Sequence, residues 1–397
     1  MPKVNPDILV WARETSNLTA EEAVKGLGIS DIRGVSALER LQQLEEGKAE
    51  PSRPMLLKMV KLYRRPLLVF YMSKPPRKGN RGQDFRTLPD DYSPHDDALI
   101  DVLIRNILAR QGIVRALIEE DEDTETLGFV GSITISDGIS KALTSIKKIL
   151  GMDHMDFYAA SNTNKAFTLL RDKAEGLGII VLLIGDLGSY HTKIKPEIFR
   201  GFALADKIAP FIIINDHDSH AAWSFTLIHE LTHILLGQSG ISGGWAGKKL
   251  EQFCNDVASE FLLPKEEIED LRIDETLSLE EQENLITQFA KTRNLSSSMV
   301  AYKLFRYDVL ERGTWLQINQ DFRERWMQSQ EKRQEELLEK DGGPSYYIIR
   351  RHRVGNALIN FIDRMIASGA LTTSKAGKIL GVKPKNVQSL IDTVRSS

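Results

Sequence analysis

Apolar residues recur at helical spacing along most of this chain, and the spacing changes character in one stretch only. Ile8, Leu9, Trp11 and Ala12 share one helical face. Thr19 followed by Glu22 forms a capping-box pattern ahead of Ala23, Val24 and Leu27, and Gly28 supplies the stop. Residues 35–44 and 55–63 predict two further short helices. Leu99, Ile100, Leu103, Ile104 and Ile107 predict one long helix over 98–119, and residues 137–152 and 163–177 predict two more. The period then breaks. Residues 178–185 form a β-branched run between two glycines; with 199–204 and 210–216 they predict a small sheet of buried strands. Helical spacing resumes over 225–237, 250–263, 279–291, 296–305 and 321–339. The final segment, 356–394, contains a capped helix, a Leu-Gly-Val turn and a second helix between Leu371 and Leu390.

These elements divide the chain. Residues 73–89 are rich in Pro, Gly and basic side chains and read as a linker, and Gly342-Gly343-Pro344 is a second break. The organisation expected is a helical domain over 1–75, a linker over 76–90, a helical connecting region over 91–160, an α+β core over 161–340 and a basic helical module over 341–397. A chain of 397 residues exceeds one ordinary core, which agrees with several domains. With 42% hydrophobic and 27% charged residues the composition is that of a soluble globular protein, and no apolar run is long enough to span a bilayer. The first residues, MPKVNPDILVWARE, lack the pattern of a secretion signal, and a single cysteine, Cys254, fits a reducing compartment, so a cytoplasmic location is expected.

The net charge of −3 hides a division that does change the picture. Residues 1–75 hold 12 Lys and Arg against 9 Asp and Glu, and the last 57 residues hold 9 against 3, so the centre of the chain is acidic. The acidic run 119–125 reads as a solvated loop. Residues 1–75, with the Glu46-Gly47 turn and Pro51, resemble the phage-repressor (Xre/Cro-like) helix-turn-helix, which reads DNA through the helix after its turn. Two departures stand out: an insertion, Asp31 to Gly34, precedes the candidate recognition helix, and that helix carries Leu and Glu where base-reading side chains belong. In the basic C-terminal module, Lys375, Lys378, Lys383 and Lys385 lie at the second helix-turn-helix-like pattern and are the candidate nucleic-acid contacts.

The candidate chemistry lies in Phe225-Thr-Leu-Ile-His-Glu-Leu-Thr-His-Ile-Leu-Leu-Gly237. His229, Glu230 and His233 spell H-E-x-x-H on an apolar helix. At i and i+4 two imidazoles stand one above the other, placed to bind one zinc ion, and the intervening carboxylate is placed to act as general base on the attacking water. A hydrolytic zinc takes three protein ligands. The metzincin spacing would put a histidine at position 239, which is Ser239, so that class is excluded. A carboxylate from the following helix is the other common solution. Glu251 opens that helix and is taken as the third ligand, a gluzincin-like set, with Glu260 and Asp256 as its rivals. Asn255, one turn beyond Glu251, is placed to hydrogen-bond a ligating imidazole; Cys254 reads as a small buried side chain. Candidate oxyanion donors are Tyr190, His191, His217 and His220, from the segment before the metal helix.

The stretches 199–215, Phe225 to His233, Glu251-Gln-Phe-Cys-Asn255 and Phe261-Leu-Leu-Pro264, with the earlier Asp84-Phe-Arg-Thr87, resemble the ImmA/IrrE family of bacterial and phage metallopeptidases. The likeness is dense between residues 165 and 265. It implies a multidomain, mainly α protein with a zincin-like α+β core flanked by helix-turn-helix-like modules. It also implies a zinc endopeptidase that cleaves DNA-bound repressors and so releases genes of a mobile element or stress response, with His229, His233 and Glu251 as ligands and Glu230 as base. Thr232 stands where many members have Gly or Ser. The other reading of the same residues is a DNA-binding regulator, or an antitoxin-like partner-binding protein, with a non-catalytic metal site; the presence of Glu230 argues against it, since a structural site needs no base. The partners expected are a protein substrate and DNA, with no membrane.

Overall fold

The computed structural model describes residues 4–16, 18–32, 34–63, 65, 67–72, 94–120, 124–189, 192–239, 245–269, 271–273, 277–339 and 345–395. The expected linker over 76–90, the Asp84 to Thr87 motif and the break at 342–344 lie outside them. The described residues group into two compact units. One draws on Met1–Arg81, Thr87–Ile107 and Leu187–Ile194, the other on Leu108–Asp186 and Lys195–Ser397.

In the first unit, α1 (Pro6–Glu14), α2 (Ala20–Leu27), α3 (Ala37–Glu45) and α4 (Arg53–Leu62) are followed by a 3₁₀ turn, Leu67–Tyr71. Their ends follow the capping chemistry of the sequence. Thr19 and Glu22 make a reciprocal capping box at α2, Ser36 and Glu39 make another at α3, and Gly28 closes α2 at φ 66°. Ile8, Leu9, Leu27, Leu41, Leu56 and Met59 form the core, and an Arg13–Glu45 ion pair at 2.7 Å ties α1 to α3. Helix α5 (Pro94–Glu119) follows.

The second unit is built on a three-stranded sheet of β1 (Ile180–Leu183), β2 (Gly201–Leu204) and β3 (Phe211–Ile214), in the order β1-β3-β2. β1 and β3 are parallel, with Val181 opposite Ile212. β2 runs antiparallel to β3, with Phe202 opposite Ile213. Every residue of the three strands is buried, which is why each reads as an unbroken apolar run rather than an alternation. Helices α6 (Gly138–Leu150), α7 (His154–Tyr158) and α8 (Thr163–Gly176) precede the sheet; α9 (His220–Leu235) and α10 (Trp245–Leu262) follow it. α9 packs on β2, β3, α8 and α10, and its residues from Thr226 to Leu235 are all buried.

Beyond α10 come α11 (Lys265–Glu269), α12 (Leu279–Thr292), α13 (Ser297–Arg306) and α14 (Arg312–Glu339), then α15 (Tyr346–Val354), α16 (Asn356–Ala367), α17 (Thr373–Leu380) and α18 (Val387–Arg395). Three features differ from expectation. α14 begins at Arg312 rather than 321, because Trp315, Ile318 and Phe322 recur every three to four residues and pack on the core within a mostly polar sequence. α10 begins at Trp245 rather than 250. α15 was not anticipated, because its pattern is inverted. Tyr346, Ile348 and Ile349 face outward, whereas Arg350 donates to the Leu380 carbonyl and Arg353 pairs with Asp186 at 2.9 Å and Asp216 at 2.6 Å. The C-terminal helices thereby join the sheet unit: Arg171 of α8 donates to the His352 carbonyl, and the Ala357 amide donates to Glu175.

No helix of the described residues is long and apolar enough to cross a membrane.

Candidate metal centre

The site is assembled by two helices whose ends are held independently. Ser219 caps α9 by accepting from the Ala222 amide, and the Trp223 indole N–H donates to the Asn215 carbonyl at 3.1 Å, anchoring the helix start to the end of β3. At the other end, the Gly131 and Ile133 amides donate to the Ile234 and Leu235 carbonyls, each at 3.1 Å, and satisfy groups that the helix itself leaves open. Gly237, at φ 66°, passes so close to Gly131 that a Cβ there would stand 3.0 Å from its Cα. α9 is thus fixed in position as well as in conformation.

On this helix His229 and His233 are fully buried and Glu230 is 1% exposed. Across from them, Glu251 of α10 turns its carboxylate toward both rings. Nε2 of His229 and Nε2 of His233 are 3.2 Å apart; Glu251 Oε2 is 3.3 Å from the first and Oε1 is 3.3 Å from the second. A tetrahedral ion with bonds of about 2.0–2.1 Å sets its ligand atoms about 3.3 Å apart. The donor set therefore fits zinc in chemistry and in spacing.

Glu230 is positioned by strand β2. The backbone of Gly201 lies so close to α9 that a Cβ would stand 2.4 Å from Thr226 Cγ2, 2.9 Å from the Ile213 carbonyl oxygen and 3.1 Å from Glu230 Oε1. Only glycine allows that approach, and sequence reasoning passed over it because a glycine inside a strand carries no sign of what lies opposite. β2 is one of the two outer strands of the described sheet; at its end the Ala205 amide donates to Ser239 Oγ at 3.0 Å, so Ser239 supports that end.

The rivals of Glu251 are occupied elsewhere. Glu260 is 2.7 Å from Lys303, accepts from the Tyr307 hydroxyl and the Lys265 amide, and is held below its ordinary pKa by these donors although burial opposes them. Asp256 lies 3.7 Å from Arg306 and 3.4 Å from the Gln252 amide group. Cys254 is buried as a free thiol. Thr232 turns its hydroxyl to the Ile228 carbonyl at 2.8 Å, within the helix.

The remaining candidates are not gathered at the imidazole pair. Asn255 stands one turn beyond Glu251 in the wall of a neighbouring cavity, and no hydrogen bond from it to either imidazole is present among the described residues. His217 belongs to a separate group with Asp186 and Asp216 at the carboxyl ends of β1 and β3. His220 opens α9 and packs on Trp223 at 4.3 Å between ring centres, nine residues before His229, or about 13 Å along the axis. Tyr190 and His191 lie outside the described residues. Lys375, Lys378, Lys383 and Lys385 are all exposed, in and between α17 and α18.

The neighbouring cavity, of about 790 Å³, was not foreseen. It is lined by Phe225 of α9, whose ring centre is 6.3 Å from that of His229, and by Asn255 of α10, one turn beyond Glu251. Its far wall comes from α13 and α14.

Residues 179–305 match the Peptidase_M78 family model, the IrrE N-terminal-like domain. The match supports an ImmA/IrrE-type peptidase in that part of the chain and, with it, a metallopeptidase role. No curated protein matches the chain.

Proposed function

We propose that this protein is a zinc-dependent endopeptidase that cuts one partner protein, a DNA-binding repressor, and so relieves transcriptional repression in a mobile-element or stress response. The observation that carries the hydrolase reading is the triangle of donor atoms 3.2–3.3 Å apart, with Glu230 beside it on the same buried helix. The repressor as substrate rests on the resemblance to ImmA/IrrE peptidases.

A zinc ion held by His229, His233 and Glu251 supplies Lewis acidity toward the scissile carbonyl and the attacking water. Glu230 accepts the water proton on its carboxylate and delivers it to the leaving amine as the C–N bond breaks. Gly201 and its strand keep that carboxylate in place. Burial of the imidazoles removes competing water from the reacting centre.

The test is incubation with a repressor encoded beside this gene, with and without chelator, followed by mass spectrometry of the fragments. Glu230→Gln should keep fold and zinc and lose cleavage, because an amide cannot take the proton. If Glu230→Gln retains wild-type biological activity, the alternative of a regulator with a non-catalytic metal site takes its place.

We also propose that the C-terminal module contacts DNA. Four of its five arginines are committed within the fold, Arg350 to Leu380, Arg351 to Thr393 and Asn356, Arg353 to two aspartates and Arg395 to Asp363, and the fifth, Arg364, is exposed on α16. Its four lysines are all exposed at the α17 to α18 segment. Phosphate contacts by these lysines release counterions, so duplex binding by the whole chain should weaken steeply with salt and fall when the four are changed to glutamine. Absence of binding at low salt discards this reading.

A further inference from the structure

The cavity beside the metal centre has a composition that the hydrolase reading does not use. Phe225, Leu295, Met299, Phe322 and Trp326 give it an apolar interior. Its charged side chains come in pairs whose more exposed member is the arginine. Arg200 pairs with Asp218 at 3.8 Å, Arg323 with Glu197 at 3.5 Å, and Arg325 with Glu283. In each pair the acid is the covered partner: the aspartate and glutamates keep 10%, 29% and 3% of their side chains exposed, the arginines 46%, 63% and 54%. The guanidinium is thus the more accessible group of each pair.

Two further facts tie the cavity to substrate rather than to a separate ligand. Phe225 and Asn255, each one helical turn from His229 and Glu251, line it, and Arg200 is the residue immediately before Gly201 of β2. A volume of about 790 Å³ lies within the range of roughly 300–1,000 Å³ seen for ligand pockets, and it exceeds one side chain. Phe322, Arg323 and Trp326 lie on α14, beyond the residues that match the peptidase family.

We propose that this cavity selects the substrate by seating a large apolar residue flanked by acidic residues, the apolar side chain among Phe225, Met299, Phe322 and Trp326 and the carboxylates on Arg200 and Arg323. The proposal deepens the peptidase reading and rests on it for the identity of the ligand as substrate. Binding energy realised in such a cavity, away from the reacting atoms, orients the scissile bond and confines fast cleavage to segments that fill it.

The test uses the full zinc-loaded chain carrying Glu230→Gln, so that bound peptide is not consumed, and three fluorescein-labelled nonapeptides: Phe flanked by glutamates, Phe flanked by lysines, and Ser flanked by glutamates. Anisotropy titration should show the first binding about tenfold more tightly than either of the others. Arg323→Glu, at an exposed position, should erase the preference for glutamate, and Trp326→Ala should weaken the first peptide toward the serine one. Equal binding of all three, no saturable binding of any, or a glutamate preference that survives Arg323→Glu overturns the proposal. Because the cavity needs no metal, the preference should persist in chelator. A preserved preference together with no hydrolysis of any substrate by the wild-type chain would sink the peptidase reading and leave the cavity as a peptide site.

Discussion

Gly201→Ala is the smallest change that separates positioning of the base from binding of the metal. A methyl at this position would sit 2.4 Å from Thr226 Cγ2 and 2.9 Å from the Ile213 carbonyl oxygen, where ordinary contact begins near 3.4 Å. Neither neighbour yields readily. Thr226 is a β-branched residue inside a fully buried helix, with few rotamers open to it, and the Ile213 carbonyl belongs to the strand that β2 pairs with. Overpacking of this kind costs about 1–3 kcal/mol, and an overlap of about 1 Å against a fixed helix belongs in the upper half of that range. The third contact, 3.1 Å to Glu230 Oε1, is tight rather than forbidden, so the carboxylate would be displaced by a few tenths of an ångström.

The expected result is therefore a loss of about 2 kcal/mol in urea unfolding, unchanged zinc affinity in competition with a chromogenic chelator, and a fall in hydrolysis larger than the loss of folded protein explains. Thr226→Ser removes only the methyl that clashes. The double variant should recover about 1 kcal/mol relative to the sum of the singles, the coupling expected for residues in contact. A Gly201→Ala protein within about 0.5 kcal/mol of wild type, or strictly additive singles, would refute the close-approach argument. A destabilised protein with intact turnover would refute the claim that β2 positions Glu230.

Two further outcomes are expected. With free zinc roughly a thousandfold above Kd, metal binding should stabilise the chain by about 4 kcal/mol. Chelator should remove that increment in wild type and have no effect in Glu251→Ala; full zinc stoichiometry in the alanine variant would sink the assignment of Glu251. Stability should also depend on His352, whose pKa is lowered from 6.5 first by burial and then by the Arg171 charge. The folded chain holds this imidazole neutral, so the unfolded chain binds the proton first as pH falls. The contribution is complete above pH 6.5 and is lost as pH drops below it toward the lowered folded value. His352→Asn should flatten the acid side of the stability curve in that window, and an unchanged slope by urea midpoints at pH 7, 6 and 5 would count against it.

What the sequence disclosed here follows distance along the chain. The imidazole pair was legible because four residues of helix bring two side chains together whatever the rest of the fold does, and the capping box at Thr19 was legible for the same reason. The strands were legible because a sheet covered on both faces leaves an unbroken apolar run. The cavity was not: Phe225, Met299 and Trp326 meet across about a hundred residues, and of α14, which supplies one wall, only the part from residue 321 was legible. α15 was hidden for a different reason. Its arginines point inward to two aspartates and a helix carbonyl while its isoleucines face out, so the usual equation of apolar with buried inverts.

Glu251 and Glu260 show how such distant contacts assign roles to otherwise similar residues. Both are carboxylates on α10, nine positions apart, and composition does not rank them. The choice is made by Lys303, more than forty residues on, which reaches from α13 into the end of α10 and bonds the Ser259 and Leu263 carbonyls as well as Glu260. Its burial lowers its own pKa, and the nearby carboxylate is what raises it back toward the charged form. Moving Glu260 to a metal would strand that ammonium among helix carbonyls, with the several-kcal/mol penalty typical of an unpaired buried charge, roughly 3–5 kcal/mol. Glu251 instead turns its two carboxylate oxygens toward the two imidazoles, each at 3.3 Å. Lys303 thus holds one carboxylate of α10 away from the imidazole pair, while the other stands beside it.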